Sequence, residues 1–222
     1  MLLTWAAWAV WAASSLPRPG RFSWRAAGSI LRPALFWSIS YFQDVADSIT
    51  YHIALGSNLG DRAGNLQRAV DGVQDLDGCH VVAVSSVWES PAHVKPGQPA
   101  QPAFLNAVLA CESILSPEEL IEALFKIETR HGRDRSSKGM WQPRPLDLDI
   151  ILAGARIVHT RTLDIPHPRL DQRRFVLEPL AEIAADVDVP APFEERVGYL
   201  LSVCPDQTKT LRHSSLQLPH RA

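Results

Sequence analysis

Acidic residues are missing from the opening of this 222-residue chain: none occurs before Asp44. Cysteine is scarce, with Cys79, Cys111 and Cys204 far apart and no CxxC pair. That spacing argues against a disulfide framework or a cysteine-ligated metal and fits reduced thiols in a reducing, cytoplasmic compartment. Excess charge is missing too, since 22 Lys and Arg face 24 Asp and Glu for a net charge of -2. This balance gives no electrostatic case for nucleic acid as a partner. The apolar opening, Leu2 to Ala13, falls short of the roughly 20 residues that cross a bilayer, so no membrane partner is expected.

What is present divides at about residue 50. The first segment holds five of the seven tryptophans (Trp5, Trp8, Trp11, Trp24 and Trp37) with Arg18, Arg21, Arg25 and Arg32. Leu2 to Ala13 could serve as the apolar region of a signal peptide, although no Lys or Arg precedes it. The acid-free, arginine-bearing stretch also suits an organelle transit peptide. A start placed too far upstream is a third reading, with Val45 as one alternative. Residues 1–49 are therefore expected to be a disordered, targeting or spurious extension, and residues 50–222 a single domain.

Within the domain, "YHIAL" (51–55) reads as a strand and "GSNLGD" as a turn. Leu66, Ala69, Val70, Val73 and Leu76 recur at helical spacing, and Gly78 ends the helix. "HVVAVSSVWES" (80–90) and "AFLNAVLACES" (103–113) read as strands separated by a proline-bearing loop. Ser116-Pro117-Glu118-Glu119 predicts a capped helix start, and Gly132 its stop. A second long loop, 133–145, leads into the strand "LDLDIIL". Shorter helices are predicted near 174–184 and 193–203. The order strand, helix, strand, strand, helix, strand predicts an α+β fold with a ferredoxin-like βαββαβ core, C-terminal helical additions and two or three long active-site loops.

"WQPRPLDLDII" (141–151) carries the chemistry. On a strand, residues two apart face the same side. Leu146, Leu148 and Ile150 would enter the core, and Asp147 and Asp149 would face out together. On a helix the two acids would point roughly 200° apart. Paired carboxylates need a cation between them. A solvated strand face beside Lys or Arg would supply one. So would Mg²⁺ bound with a polyphosphate, and the preceding loop offers Arg133, Arg135, Lys138 and Arg144 for phosphate charge. The acid pair alone would also suit a metal-dependent hydrolase, and the fold alone a ligand-binding module without chemistry.

The stretch resembles the signature of the 6-hydroxymethyl-7,8-dihydropterin pyrophosphokinases. "IALGSNLGD" (53–61), "SSVWESPA" with "FLNAV", "IETRHGRDR" (127–135) and "IPHPRLDQRRFVLEPL" (165–180) resemble that family's other motifs in order. The resemblance implies an ATP-dependent diphosphotransferase of folate biosynthesis, moving pyrophosphate from ATP to the hydroxymethyl-dihydropterin with release of AMP. It implies two Mg²⁺ ions held by Asp147 and Asp149. It places Arg135, Arg144, His167 and Arg173 at ATP, the three arginines with catalytic roles. On the pterin side it implies Asn106, Phe104 and Phe175 around the ring, the Ser90, Pro91 and Ala92 backbone, and Trp141 closing from a mobile loop. ATP and the pterin are the implied partners of a monomeric enzyme. Met140 stands where the family has a basic residue, Gln142 where it has glycine, and Phe104 where tyrosine is frequent.

Overall fold

The alternation that separates leucines from aspartates at 146–150 recurs along the neighbouring strands and gives the sheet its two faces. The computed structural model describes residues 48–92, 97, 99–133 and 142–221. Strand β1 (Ile49–Ser57) lies between β4 (Phe104–Ser113) and β5 (Asp147–Ala153), antiparallel to both. Beyond β4 come β2 (Cys79–Val84) and β3 (Val87–Ser90), also antiparallel. A later strand, β10 (Leu211–His213), pairs with β3 and completes a six-stranded antiparallel sheet.

Helix α1 (Arg62–Gln74) starts at Asp61, whose carboxylate accepts from the backbone of Gly64 at 3.0 Å. Helix α2 (Pro117–Arg130) has the expected capping box between Ser116 and Glu119 and proline in its first turn. Gly132 follows with a φ of +82°, the left-handed region that glycine enters without steric cost. Helix α3 (Arg174–Ala184) has the predicted bounds. Helix α4 is shorter than expected, Val197–Val203, because Glu195 and Arg196 form strand β9 against β8 (Asp188–Val189). A second small pair joins β6 (Val158–His159) to β7 (Asp164–Ile165).

The predicted 80–90 strand is two strands along β4. Between them, Ser85 Oγ accepts the Val108 amide at 2.9 Å, so a side chain takes over part of the ladder. The apolar side of the 146–150 run behaves as read: Leu146, Leu148 and Ile150 are buried with α1 and α2. A bulge then shifts the pairing from Ile53–Ile150 to His52–Leu152. Ile151 and Leu152 both reach a second apolar cluster with α3 and α4 on the opposite face. The sheet is therefore covered on both faces, and a cavity opens on the α3 face beside the ends of β1, β4 and β5. No helix among the described residues is long and apolar enough to cross a membrane.

Candidate active site

Strand register builds the cavity floor. Gly56 of β1 pairs with Asp147 on one side and Asn106 on the other; Ala54 pairs with Asp149 and Val108. Directly paired residues share a face, so acids and amide look into the same space across two small residues. Strand spacing sets the Asp147 and Asn106 positions roughly 10 Å apart. Ser90, paired with Phe104, forms the far wall, where Asn106 Nδ2 donates to Ser90 Oγ at 3.0 Å. Phe175 and Arg173 enter from the start of α3. The cavity volume is about 480 Å³, an ordinary size for a small-molecule site.

Three arginines face the two acids. Arg144 Nη2 lies 3.0 Å from Asp147 Oδ2, and its guanidinium sits 5.8 Å from the centre of the Phe104 ring. Its Nε is buried and has no partner among the described residues. Arg133 Nη1 donates to both Asp147 and Glu128. Arg173 Nη1 lies 4.0 Å from Asp149 Oδ2, with its guanidinium 5.9 Å from the Phe175 ring centre. Arg169 adds a fourth cation to the lining.

Burial, followed by the charge of Asp147, pushes the Asp149 carboxyl up to about 6, while Arg173, Arg144 and Arg133 pull the other way. Burial opposes the charge of Arg133, but Asp147 and Glu128 outweigh it and raise its pKa. Arg173 is lowered, by burial and then by Arg169. Burial, then Arg173 and Arg169, push His167 down to about 4, so its ring is neutral near neutral pH. His167 Nδ1 accepts the Arg169 amide at 3.1 Å. Its Nε2 lies 3.2 Å from Arg173 Nη1, and the ring tautomer sets whether it accepts from that guanidinium.

The structure brings Ser90, Pro91, Phe104, Asn106, Arg144, Asp147, Asp149, His167, Arg173 and Phe175 to one cavity. Ala92 is not in its lining. Arg135, Trp141 and Met140 lie outside the described residues. Gln142 is exposed at the cavity mouth. Arg133 was expected among the loop cations, but sequence reasoning gave no site role to Arg169, Glu128 or the Ala54–Gly56 floor. Glu128 did leave a signal: it follows Leu124 by four residues on the apolar face of α2, where a carboxylate requires a partner.

No cluster of three potential metal-ligating side chains occurs among the described residues. Two carboxylates opening on one cavity still suit Mg²⁺, which takes one or two from protein and the rest from water and phosphate.

A cavity with acids and arginines at one end and an aromatic, amide-bearing wall at the other belongs to a group-transfer enzyme acting on a phosphorylated donor and a flat acceptor. The family model of 7,8-dihydro-6-hydroxymethylpterin-pyrophosphokinase (HPPK) matches residues 52–185. The 2-amino-4-hydroxy-6-hydroxymethyldihydropteridine pyrophosphokinase of Haemophilus influenzae is 42% identical over 64% of this chain and 86% of its own. That of Pseudomonas aeruginosa is 39% identical over 69% and 91%, and that of Bacillus subtilis 40% over 65% and 83%. The chain belongs to the HPPK family: it is an ATP-dependent pyrophosphokinase of folate biosynthesis. Among solved structures, an HPPK-DHPS complex with substrates superposes with a TM-score of 0.52 at 11% identity, over 70% of this chain and 43% of that one. Wild-type Plasmodium falciparum HPPK-DHPS with SDX-DHP gives 0.53 at 11%, over 70% and 44%. These matches show the fold, and the chain spans less than half of those longer proteins.

Proposed function

We propose that the cavity binds ATP and 6-hydroxymethyl-7,8-dihydropterin side by side and transfers the β,γ-pyrophosphoryl group between them. The hydroxymethyl oxygen bonds to the β-phosphorus and gives up its proton to solvent, the bond from that phosphorus to the α-phosphate's bridging oxygen breaks, and AMP leaves. The observation carrying this reading is the face shared by Asp147, Asp149 and Asn106, with Gly56 and Ala54 between them. A charged donor end and an acceptor slot at that separation would suit in-line transfer.

Asp147 and Asp149 hold two Mg²⁺ ions, which neutralise phosphate charge when bound. Arg144 and Arg173 leave the acids for phosphate oxygens, and Arg133, already bridging to Asp147, supports the same end. His167 stands beside Arg173 at the phosphate end. Asn106 reads the pterin edge, with Phe104 and Phe175 on its ring and the Ser90–Ala92 backbone at its side. Arg135 and Trp141 act from the intervening loop as it closes. The fold underlying this site is ferredoxin-like, supported by a sheet that runs from the split 79–90 strand through β4 and β1 to β5.

The test is AMP formation by the chain from Val45 onward, with ATP, Mg²⁺ and the hydroxymethyl-dihydropterin. Pterin-dependent AMP is expected. Phosphate release without pterin would instead mark a hydrolase, and ATP binding without any turnover a binding module.

A further inference from the structure

Behind the acceptor wall, on the sheet face away from the cavity, lies a cluster the transfer reaction does not use. Arg62, the first residue of α1, extends Nη1 to Glu89 Oε1 at 2.7 Å. The same nitrogen donates to the backbone carbonyl of Ala103, also at 2.7 Å. The second oxygen of Glu89 meets His213 Nε2 of strand β10 at 3.1 Å. Glu89 and Ala103 immediately precede Ser90 and Phe104, the paired residues that form the far wall of the cavity. The chain leaves β3 just after Ser90 and enters β4 at Phe104, so one guanidinium grips both ends of the connection between them.

Strand alternation separates this grip from the substrate. Ser90 and Phe104 face the cavity, whereas Glu89 and its partner Leu105 face α1. Arg62 and Glu89 therefore touch neither ligand. They fix where Ser90 stands, and Ser90 Oγ in turn holds the Asn106 amide. Side-chain exposures of 31% and 26% leave the pair partly shielded. Its two short contacts to a strand end and a carbonyl are directional, unlike those of a loose surface ion pair.

We infer that Arg62 and Glu89 are positioning residues for the pterin: the pair sets the width of the acceptor slot, and His213 fixes the rotamer of Glu89 from the C-terminal strand. This rests on the assignment of Asn106, Phe104 and Ser90 to the pterin. The acids of the donor end stand on β5, separated from β3 by β4 and β1. Loss of the grip should therefore weaken pterin binding and leave ATP binding alone.

Steady-state kinetics on Arg62→Ala, Glu89→Ala, the double variant, Arg62→Lys and Glu89→Gln test this in the full chain, each checked by thermal unfolding. Arg62→Ala and Glu89→Ala are expected to raise the pterin KM about five- to tenfold, with the ATP KM and kcat within about twofold. The double variant should fall short of the product of the two single effects, because both remove the Arg62–Glu89 contact. Glu89→Gln, which keeps an acceptor, should restore the pterin KM to within about twofold. A purely structural pair would lower the unfolding temperature and the active fraction without separating the two KM values. Unchanged pterin KM, or equal rises for both substrates, overturns the inference. If the alanine variants do not fold, Arg62→Lys decides: it cannot make both contacts in one plane, so an unchanged pterin KM also overturns it. Asn106→Ala separates the two levels of reading. If it leaves the pterin KM unchanged, the slot itself is misassigned and the inference falls with it. If it raises that KM while the Arg62 and Glu89 variants do not, only the positioning role falls.

Discussion

The carboxylate of Glu128, wholly buried at the end of α2, accepts the backbone N–H of Leu148 at 2.8 Å. Leu148 lies between the two cavity aspartates, so the helix end is tied to the strand that presents them. Glu128 also receives Arg133, which reaches on to Asp147. A buried charge of this kind holds geometry more than it adds net stability, but breaking it leaves uncompensated partners.

Glu128→Ala is accordingly expected to cost about 3 kcal/mol, since an amide and a guanidinium lose their acceptor. Glu128→Gln keeps one acceptor oxygen and should cost about 1 kcal/mol. Urea unfolding measures both. Equal costs for the two variants would mean that Glu128 acts through packing alone.

Asp149 should behave in the opposite way. Its carboxyl is pushed up to about 6, first by burial and then by Asp147. A carboxylate with a raised folded pKa destabilises the protein as pH rises from its unfolded value through the folded one. Asp149→Asn should thus leave the ligand-free protein at pH 7.5 as stable or more stable. The gain is about 1 kcal/mol once discounted for screening, because the side chain is 45% exposed. The same substitution should reduce AMP formation by about a hundredfold or more, as expected when a ligand of the phosphate-bound metal is lost. Calorimetry and a coupled AMP assay give the two readouts. A less stable variant with normal turnover would contradict the assignment.

How much of this was legible depended on periodicity. The run Leu146 to Ile150 alternates strictly, and its two faces follow from residues alone. The bulge at Ile151 was hidden, because three apolar residues in succession satisfy either phase. Ser116 and Glu119 announce the α2 start through local hydrogen bonds. The β10 strand is three residues long and pairs with a partner more than 120 positions away, so no local pattern marks it. At the site, Asp147 and Asp149 stood out as a repeated charge within a core run. Ala54 looked like an ordinary small strand residue and Gly56 like the start of a turn, and their role as a floor emerges only when β4 and β5 flank β1.

That floor makes a size-dependent prediction. A Cβ on Gly56 would lie 3.6 Å from Phe104, 3.7 Å from Asn106 Oδ1 and 3.8 Å from Asp147, all ordinary contacts. The backbone there is an extended strand that accepts any side chain. Gly56→Ala should retain activity within about threefold, whereas Gly56→Val should lose about fiftyfold or more by filling the space between donor and acceptor. Both should fold. Binding measured separately for ATP and pterin would locate the loss. Full activity in Gly56→Val would show that neither substrate crosses this floor.

The acid limit of stability should be shared between the cavity and a buried histidine outside it. His52 is 5% exposed, and its Nδ1 has no hydrogen-bond partner among the described residues. Burial lowers its pKa to about 4 from 6.5. A base whose folded pKa is depressed contributes its full stability above the unfolded value. That contribution is lost as pH falls from about 6.5 to about 4, because the unfolded chain takes up the proton first. The shift corresponds to about 3 kcal/mol. His167, also lowered to about 4, adds a loss over the same window. His52→Val removes one of the two contributions, and its unfolding free energy should fall less steeply than that of the parent between pH 6.5 and 4. Denaturant titrations at several pH values give both slopes. Parallel slopes would mean that His52 is charged inside the fold, and a partner for its second nitrogen would then have to be found.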